Sequence, residues 1–102
     1  MNDQRDNLWH GVAIITGASS GIGESITRKL ASCAQGLVIG ARRMDRIEEL
    51  ANELGEHIIP VQCDVKVASD VQQLAETAIE KFGCIDAIVN NAGVAPMGSM
   101  LR

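Results

Sequence analysis

Tyrosine is missing altogether from these 102 residues, so no phenol is available as a proton donor. Basic charge is scarce: nine Lys and Arg against thirteen Asp and Glu leave a net charge of −4. Without a basic footprint, nucleic acid is not expected as a partner. No apolar tract is long enough to cross a bilayer, and residues 1–10 are polar with no signal-like core. The expectation is a soluble cytoplasmic protein with no membrane contact. Cysteine occurs three times, at Cys33, Cys63 and Cys84, scattered and never spaced C-x-x-C. That pattern points to buried thiols in a reducing compartment and away from a metal site.

What is present organises around residues 12–23. Val12, Ala13, Ile14 and Ile15 form an uncharged apolar run, as in a strand of a parallel sheet covered on both faces. A glycine-rich turn follows, and Ile22, Ile26, Leu30 and Cys33 then recur at helical spacing. In this strand–turn–helix setting each glycine has a distinct use. Gly17 permits the tight turn, Gly21 lets the chain approach a diphosphate, and Gly23 lets the helix press against the strand. Unpaired N–H groups and the helix dipole would then face the phosphates. The stretch reads as a dinucleotide cradle.

The rest of the chain alternates in the same way. Residues 37–41 are a second strand and 44–54 a second helix, with Ile47, Leu50, Ala51 and Leu54 on its apolar stripe and Gly55 past its end. Residues 58–63 are a third strand, and Pro60 places it at a sheet edge because proline lacks a ladder donor. A third helix spans 68–82 with Val71, Leu74, Ala75, Ala78, Ile79 and Phe82 as its apolar face, stopped by Gly83. Residues 85–89 make a fourth strand, and Pro96 and Gly98 discourage a helix in the loop beyond. The expected fold is α/β, a doubly wound parallel sheet in the order 3-2-1-4. The expected domains are a polar extension over 1–10 and a partial nucleotide-binding domain over 11–102. Strand four would be an uncovered apolar edge, so the sheet reads as truncated after it.

Ligands of such sheets bind beyond the carboxyl ends of the strands. The residues there are Gly17 to Gly23, then Arg42 and Arg43, then Asp64, then Asn90 to Gly93. Four strand ends carry the candidate chemistry.

Thr16-Gly17-Ala18-Ser19-Ser20-Gly21-Ile22-Gly23, Asp64-Val65 and Asn90-Asn91-Ala92-Gly93, in this order, resemble the short-chain dehydrogenases/reductases, specifically their N-terminal, Rossmann-type portion. The resemblance covers about residues 10–98. It implies that Gly17, Ser19, Ser20, Gly21, Ile22 and Gly23 contact the diphosphate and neighbouring ribose. It implies that Asp64 accepts a hydrogen bond from the adenine amino group, with the Val65 backbone beside it. A turn or helix cap is the other reading of Asp64. Asn90 would tie strands together, while Asn91, Ala92 and Gly93 line the ribose side.

Cofactor choice follows from charge. An acid at the end of strand two would bond a ribose 2′-hydroxyl and repel a 2′-phosphate, and that position is Ala41. Arg42 and Arg43 follow, and a guanidinium grips phosphate bidentately. NADP(H) is therefore expected over NAD(H). The alternative is that both arginines are solvated charges opening the second helix.

Gly17-Ala18-Ser19-Ser20-Gly21 also matches the G-x-S-x-G nucleophile elbow of hydrolases. That chemistry needs a histidine, and His57 begins strand three, roughly 20 Å away at the opposite end of the sheet. His10 has the same problem, so both are expected to be ordinary surface residues.

The family's reaction requires an acid, usually tyrosine in Y-x-x-x-K, with a serine orienting the carbonyl. None of that set lies where the family has it, and Lys29, Lys66 and Lys81 are read as solvated. The resemblance thus implies that the chain carries the cofactor half of an NADP-dependent oxidoreductase acting on a small alcohol or carbonyl substrate, expected to be inactive alone. Homo-oligomers are expected only of a full-length protein. The alternative is a non-catalytic nucleotide-binding or dimerising module.

Overall fold

The computed structural model describes residues 9–91. Ala92, Gly93 and the loop carrying Pro96 and Gly98 lie outside the described residues, as do residues 1–8 of the polar extension. Strand β1 (Val12–Thr16) leads through a turn to helix α1 (Gly21–Ala31), then β2 (Gly36–Ala41), α2 (Met44–Leu54), β3 (Ile58–Gln62), α3 (Ala68–Phe82) and β4 (Ala87–Asn90). The four strands form one parallel sheet in the order β3-β2-β1-β4.

Every residue of β1 and β2 is buried, as their uninterrupted apolar runs require. Alternate side chains feed two cores. Ala13, Ile15, Leu37 and Ile39 pack with Ala31 of α1 and Ile47, Leu50 and Ala51 of α2. Val12, Ile14 and Val38 pack on the other face with Leu74 and Ala78 of α3. Pro60 sits on the edge strand β3, as its missing N–H demands. Gly83 ends α3 in the left-handed conformation, φ +85°. On the surface, Arg28 of α1 bonds both Glu24 and Glu53, joining α1 to α2.

Four expectations need correcting. First, the stripe Ile22, Ile26, Leu30, Cys33 reaches the core only in part: Ile26 and Leu30 are half-buried against it, Ile22 is not. The buried residues of α1 are Gly23, Thr27 and Ala31, while Ile22 is 68% exposed and Cys33 lies past the helix end. At Gly23 the helix approaches the turn too closely for a side chain, so small residues take the fully buried positions while Ile26 and Leu30 pack at the flank. Second, Ile79 of α3 is 51% exposed, and Thr77 is buried in the same turn. Its hydroxyl donates to the Gln73 carbonyl, which satisfies it within the helix.

Third, β4 begins at Ala87 rather than at residue 85. Asp86 binds Val12 at both backbone groups: its N–H donates to the Val12 carbonyl and its carboxylate accepts the Val12 N–H, each at 2.8 Å. The side chain thus takes a place that a strand carbonyl would fill. Fourth, only Cys63 is buried; Cys33 and Cys84 are half-buried. The four residues of β4 are half-buried, and among the described residues the strand pairs with β1 alone.

Candidate functional site

The turn between β1 and α1 is built from its glycines. Gly17 has φ +66°, the left-handed region that L side chains avoid. A Cβ on Gly23 would lie 2.1 Å from the Gly17 carbonyl oxygen, so only glycine lets α1 close on the turn. Gly21 is the reverse case, because a Cβ there would meet nothing within 4 Å. Its side of the turn is open space. Among the described residues, the N–H groups of Gly21 and Ile22 have no acceptor. They stand at the positive end of an eleven-residue helix, where an anionic group is favoured.

Ser20 caps that helix. Its hydroxyl donates to the Gly17 carbonyl at 2.9 Å and accepts the Gly23 N–H at 3.2 Å. Asn91, from the end of β4, donates through Nδ2 to the same hydroxyl at 2.7 Å and to the Gly17 carbonyl at 3.2 Å. A serine hydroxyl has one donor and two acceptor positions, and all three are taken here. Beside this network the Thr16 hydroxyl donates to Asn90 Oδ1 at 3.0 Å, joining the carboxyl ends of β1 and β4.

The second part of the site is a cleft of about 330 Å³ lined by Arg42, Gln62, Cys63, Asp64 and Asp70. Asp64 caps its own turn, accepting the Lys66 N–H at 2.9 Å, while its own N–H donates to Asp70 at 3.1 Å. The cap reading of Asp64 therefore holds alongside its place in the cleft. Val65 is half-buried against the α3-side core. Burial, helped by the Asp70 and Asp64 charges, pushes the Cys63 thiol up to about 11. Arg42 is exposed at the cleft. Arg43 opens α2, and its guanidinium lies 3.6 Å from Asp45.

The structure therefore gathers Gly17, Ser19, Ser20, Gly21, Ile22, Gly23 and Asn91 around the turn, and Arg42 and Asp64 around the cleft, with Val65 beside it. Sequence reasoning quoted Thr16 within the glycine motif without giving it a role, and missed Gln62 and Asp70. A polar residue closing an apolar strand is the signal for Thr16 and Gln62, and an acid in the first helical turn is the signal for Asp70.

The histidines stand elsewhere. His57 Nε2 is 2.7 Å from the Ala31 carbonyl and His10 Nδ1 is 3.0 Å from the Cys33 carbonyl. Both thus serve the C-terminal end of α1, while Ser19 precedes its N-terminal end. An eleven-residue helix separates these ends by about 16 Å, so no serine–histidine pair forms and the nucleophile-elbow pattern has no partner. His10 is exposed, as expected of a surface residue, and His57 is half-buried; each ties its own segment to the end of α1.

The short chain dehydrogenase family matches residues 11–102. An uncharacterized oxidoreductase of Staphylococcus saprophyticus is 42% identical over 97 residues, covering 94% of this chain and 38% of the relative. The farnesol dehydrogenase of Aedes aegypti is 43% identical over 98 residues, covering 91% and 40%. This chain therefore spans about two fifths of the length of these relatives. Among solved structures, an alcohol dehydrogenase of Thermococcus sibiricus complexed with 5-hydroxy-NADP matches with TM-score 0.71 and 40% identity, over 78% of this chain and 36% of that one. A 3-ketoacyl-(acyl-carrier-protein) reductase of Brucella melitensis complexed with NADH matches with TM-score 0.72 and 33% identity, over 85% and 40%. A sheet ordered 3-2-1-4, a glycine turn opening α1 and asparagines closing β4 agree with these matches, and the chain belongs to the short-chain dehydrogenase/reductase family, as its N-terminal portion.

Proposed function

We propose that this chain is the NADP(H)-binding part of an oxidoreductase that moves a hydride between the cofactor and a small alcohol or carbonyl compound. The observation that carries the reading is the open side of Gly21 beneath the unpaired N–H groups of Gly21 and Ile22. A diphosphate fits there: the space is free, the donors point outward, and the helix dipole favours its charge. Ser19 stands on the same turn, and Ala92 and Gly93 are assigned to the ribose side through the family resemblance.

The cleft at Arg42 and Asp64 supports a place for the adenosine half. Asp64 offers a carboxylate for an exocyclic amine. Ala41 supplies no acid to repel a 2′-phosphate, and Arg42 supplies a cation to attract one. Arg43 contributes less, because Asp45 competes for it. When bound, NADP(H) supplies or accepts the hydride. This chain's residues bind and orient it; no tyrosine occurs in the sequence to pass the matching proton. The chain by itself is therefore expected to bind cofactor without reducing carbonyl compounds.

Fluorescence titration of the chain with NADPH and with NADH tests the reading. Tighter binding of NADPH supports it. Equal affinities would remove the NADP(H) assignment, and failure to bind either would remove the cofactor role.

A further inference from the structure

Gln62 is the last residue of β3 and lies in register with Ala41 at the end of β2. Two successive groups from this strand end hold two successive carbonyls of the turn that carries the arginines. The Cys63 N–H donates to the Ala41 carbonyl at 2.9 Å, and Gln62 Nε2 donates to the Arg42 carbonyl at 3.1 Å. The first bond extends the strand ladder and any residue except proline could make it. The second requires a side-chain donor long enough to reach from β3 to the next turn.

That bond acts on the residue whose direction matters. Arg42 and Gln62 line the same cleft as Asp64 and Asp70. Two carboxylates in one cleft attract a mobile guanidinium, yet among the described residues no ion pair joins Arg42 to either of them. With the Ala41 carbonyl held by Cys63 and the Arg42 carbonyl by Gln62, the peptide planes on both sides of the Arg42 Cα are fixed, and with them the direction in which its Cα–Cβ bond leaves the backbone. Arg43, one residue on, has its carbonyl held within α2 by the Arg46 and Ile47 N–H groups, and its guanidinium shares its charge with Asp45.

We infer that Gln62 is a specificity-positioning residue: through the Arg42 carbonyl it holds Arg42 toward the 2′-phosphate, and so sets the preference for NADP(H) over NAD(H). The inference rests on the cofactor reading above and goes beyond it by naming a residue that discriminates without supplying charge.

The test compares NADPH and NADH affinities for the wild-type chain, Gln62→Leu, Gln62→Glu, Arg42→Ala and the Arg42→Ala/Gln62→Leu pair, with thermal unfolding of each. Loss of one hydrogen bond should weaken NADPH binding about five-fold more than NADH binding in Gln62→Leu. Gln62→Glu keeps the size, removes the donor and adds a negative charge, so its NADPH loss should be larger. The unfolding midpoint should move little, because Gln62 is exposed. If Gln62 acts through Arg42, the paired variant binds NADPH no more weakly than Arg42→Ala alone. A wild-type chain without a preference for NADPH would overturn the cofactor reading and this inference with it. A preference kept in full by Gln62→Leu, or effects that add in the paired variant, would overturn this inference alone.

Discussion

Asn91 and Ser20, 71 positions apart in the chain, are joined by a 2.7 Å hydrogen bond from Nδ2 to Oγ. With it, the end of β4 holds the cap of α1, and the serine hydroxyl is fully committed within the protein. Ser20 is thereby a strut of the turn, and a phosphate would have to compete with the Gly17 carbonyl for its single proton. Asn91→Ala should cost about 1–2 kcal/mol in stability and weaken NADPH binding. In a double-mutant cycle with Ser20→Ala the binding losses should overlap rather than add. Additive losses would mean that Ser20 meets the phosphate directly. Ser20→Thr, which keeps the hydroxyl, should restore binding.

The two helix glycines should respond in opposite ways. Gly23→Ala forces a methyl to within 2.1 Å of a backbone carbonyl and should destabilise the chain by about 3 kcal/mol. Gly21→Ala meets open space inside a helix and should leave stability equal or raise it by about 0.5–1 kcal/mol. The same methyl occupies the proposed diphosphate position, so NADPH binding should fall at least about tenfold. Urea melts and NADPH titrations separate the two effects. A Gly21→Ala chain that bound normally would place the diphosphate elsewhere.

Arg42 and Arg43 should not be equivalent. Arg42→Ala should weaken NADPH about 30-fold, the worth of a charge-assisted contact, and leave NADH nearly unchanged. Arg43→Ala should have a smaller effect, because its guanidinium already lies 3.6 Å from Asp45. Isothermal titration at low salt provides the comparison, and rising salt should narrow it.

Cys63 should make stability depend on alkaline pH. Its folded thiol titrates at about 11 against an ordinary 9.0, chiefly through burial. Between those values the unfolded chain has released the proton while the folded chain retains it. Stability from this group is therefore complete below pH 9 and is lost as pH rises towards 11. Urea midpoints at pH 8 and pH 10 should diverge more for the wild type than for Cys63→Ala. In the folded chain at pH 8, Cys63 should also resist iodoacetamide until denaturant is added.

Sequence periodicity located the sheet because β1 and β2 are apolar without interruption, and Pro60 identified the edge. Glycine roles were legible for the same reason: only glycine tolerates φ +66° at position 17 or the 2.1 Å approach at position 23. The inward face of α1 was not legible. Counting large apolar residues selects Ile22, which is exposed, along with Ile26, which is half-buried, whereas the fully buried positions are Gly23, Thr27 and Ala31, whose smallness carries no hydrophobic signal. The supports of the site were hidden too. Gln62 matters through a single bond to the turn after β2, and strand register, which local pattern does not encode, decides that neighbour; Asp70 acts locally, on the Asp64 N–H six residues before it.

Both ends of β1 are tied to β4 across 74 positions, at the bottom by Val12 to Asp86 and at the top by Thr16 to Asn90. Those ties give the sheet an order of assembly. The pairings of β1 with β2 and of β2 with β3 close short loops, but the outer edge of β1 waits for a partner made 74 residues later in translation. Until β4 arrives, a five-residue apolar strand at the centre of the future sheet has one open edge. Closing the longest loop last makes that step the slow one and the interval before it the chain's most aggregation-prone moment.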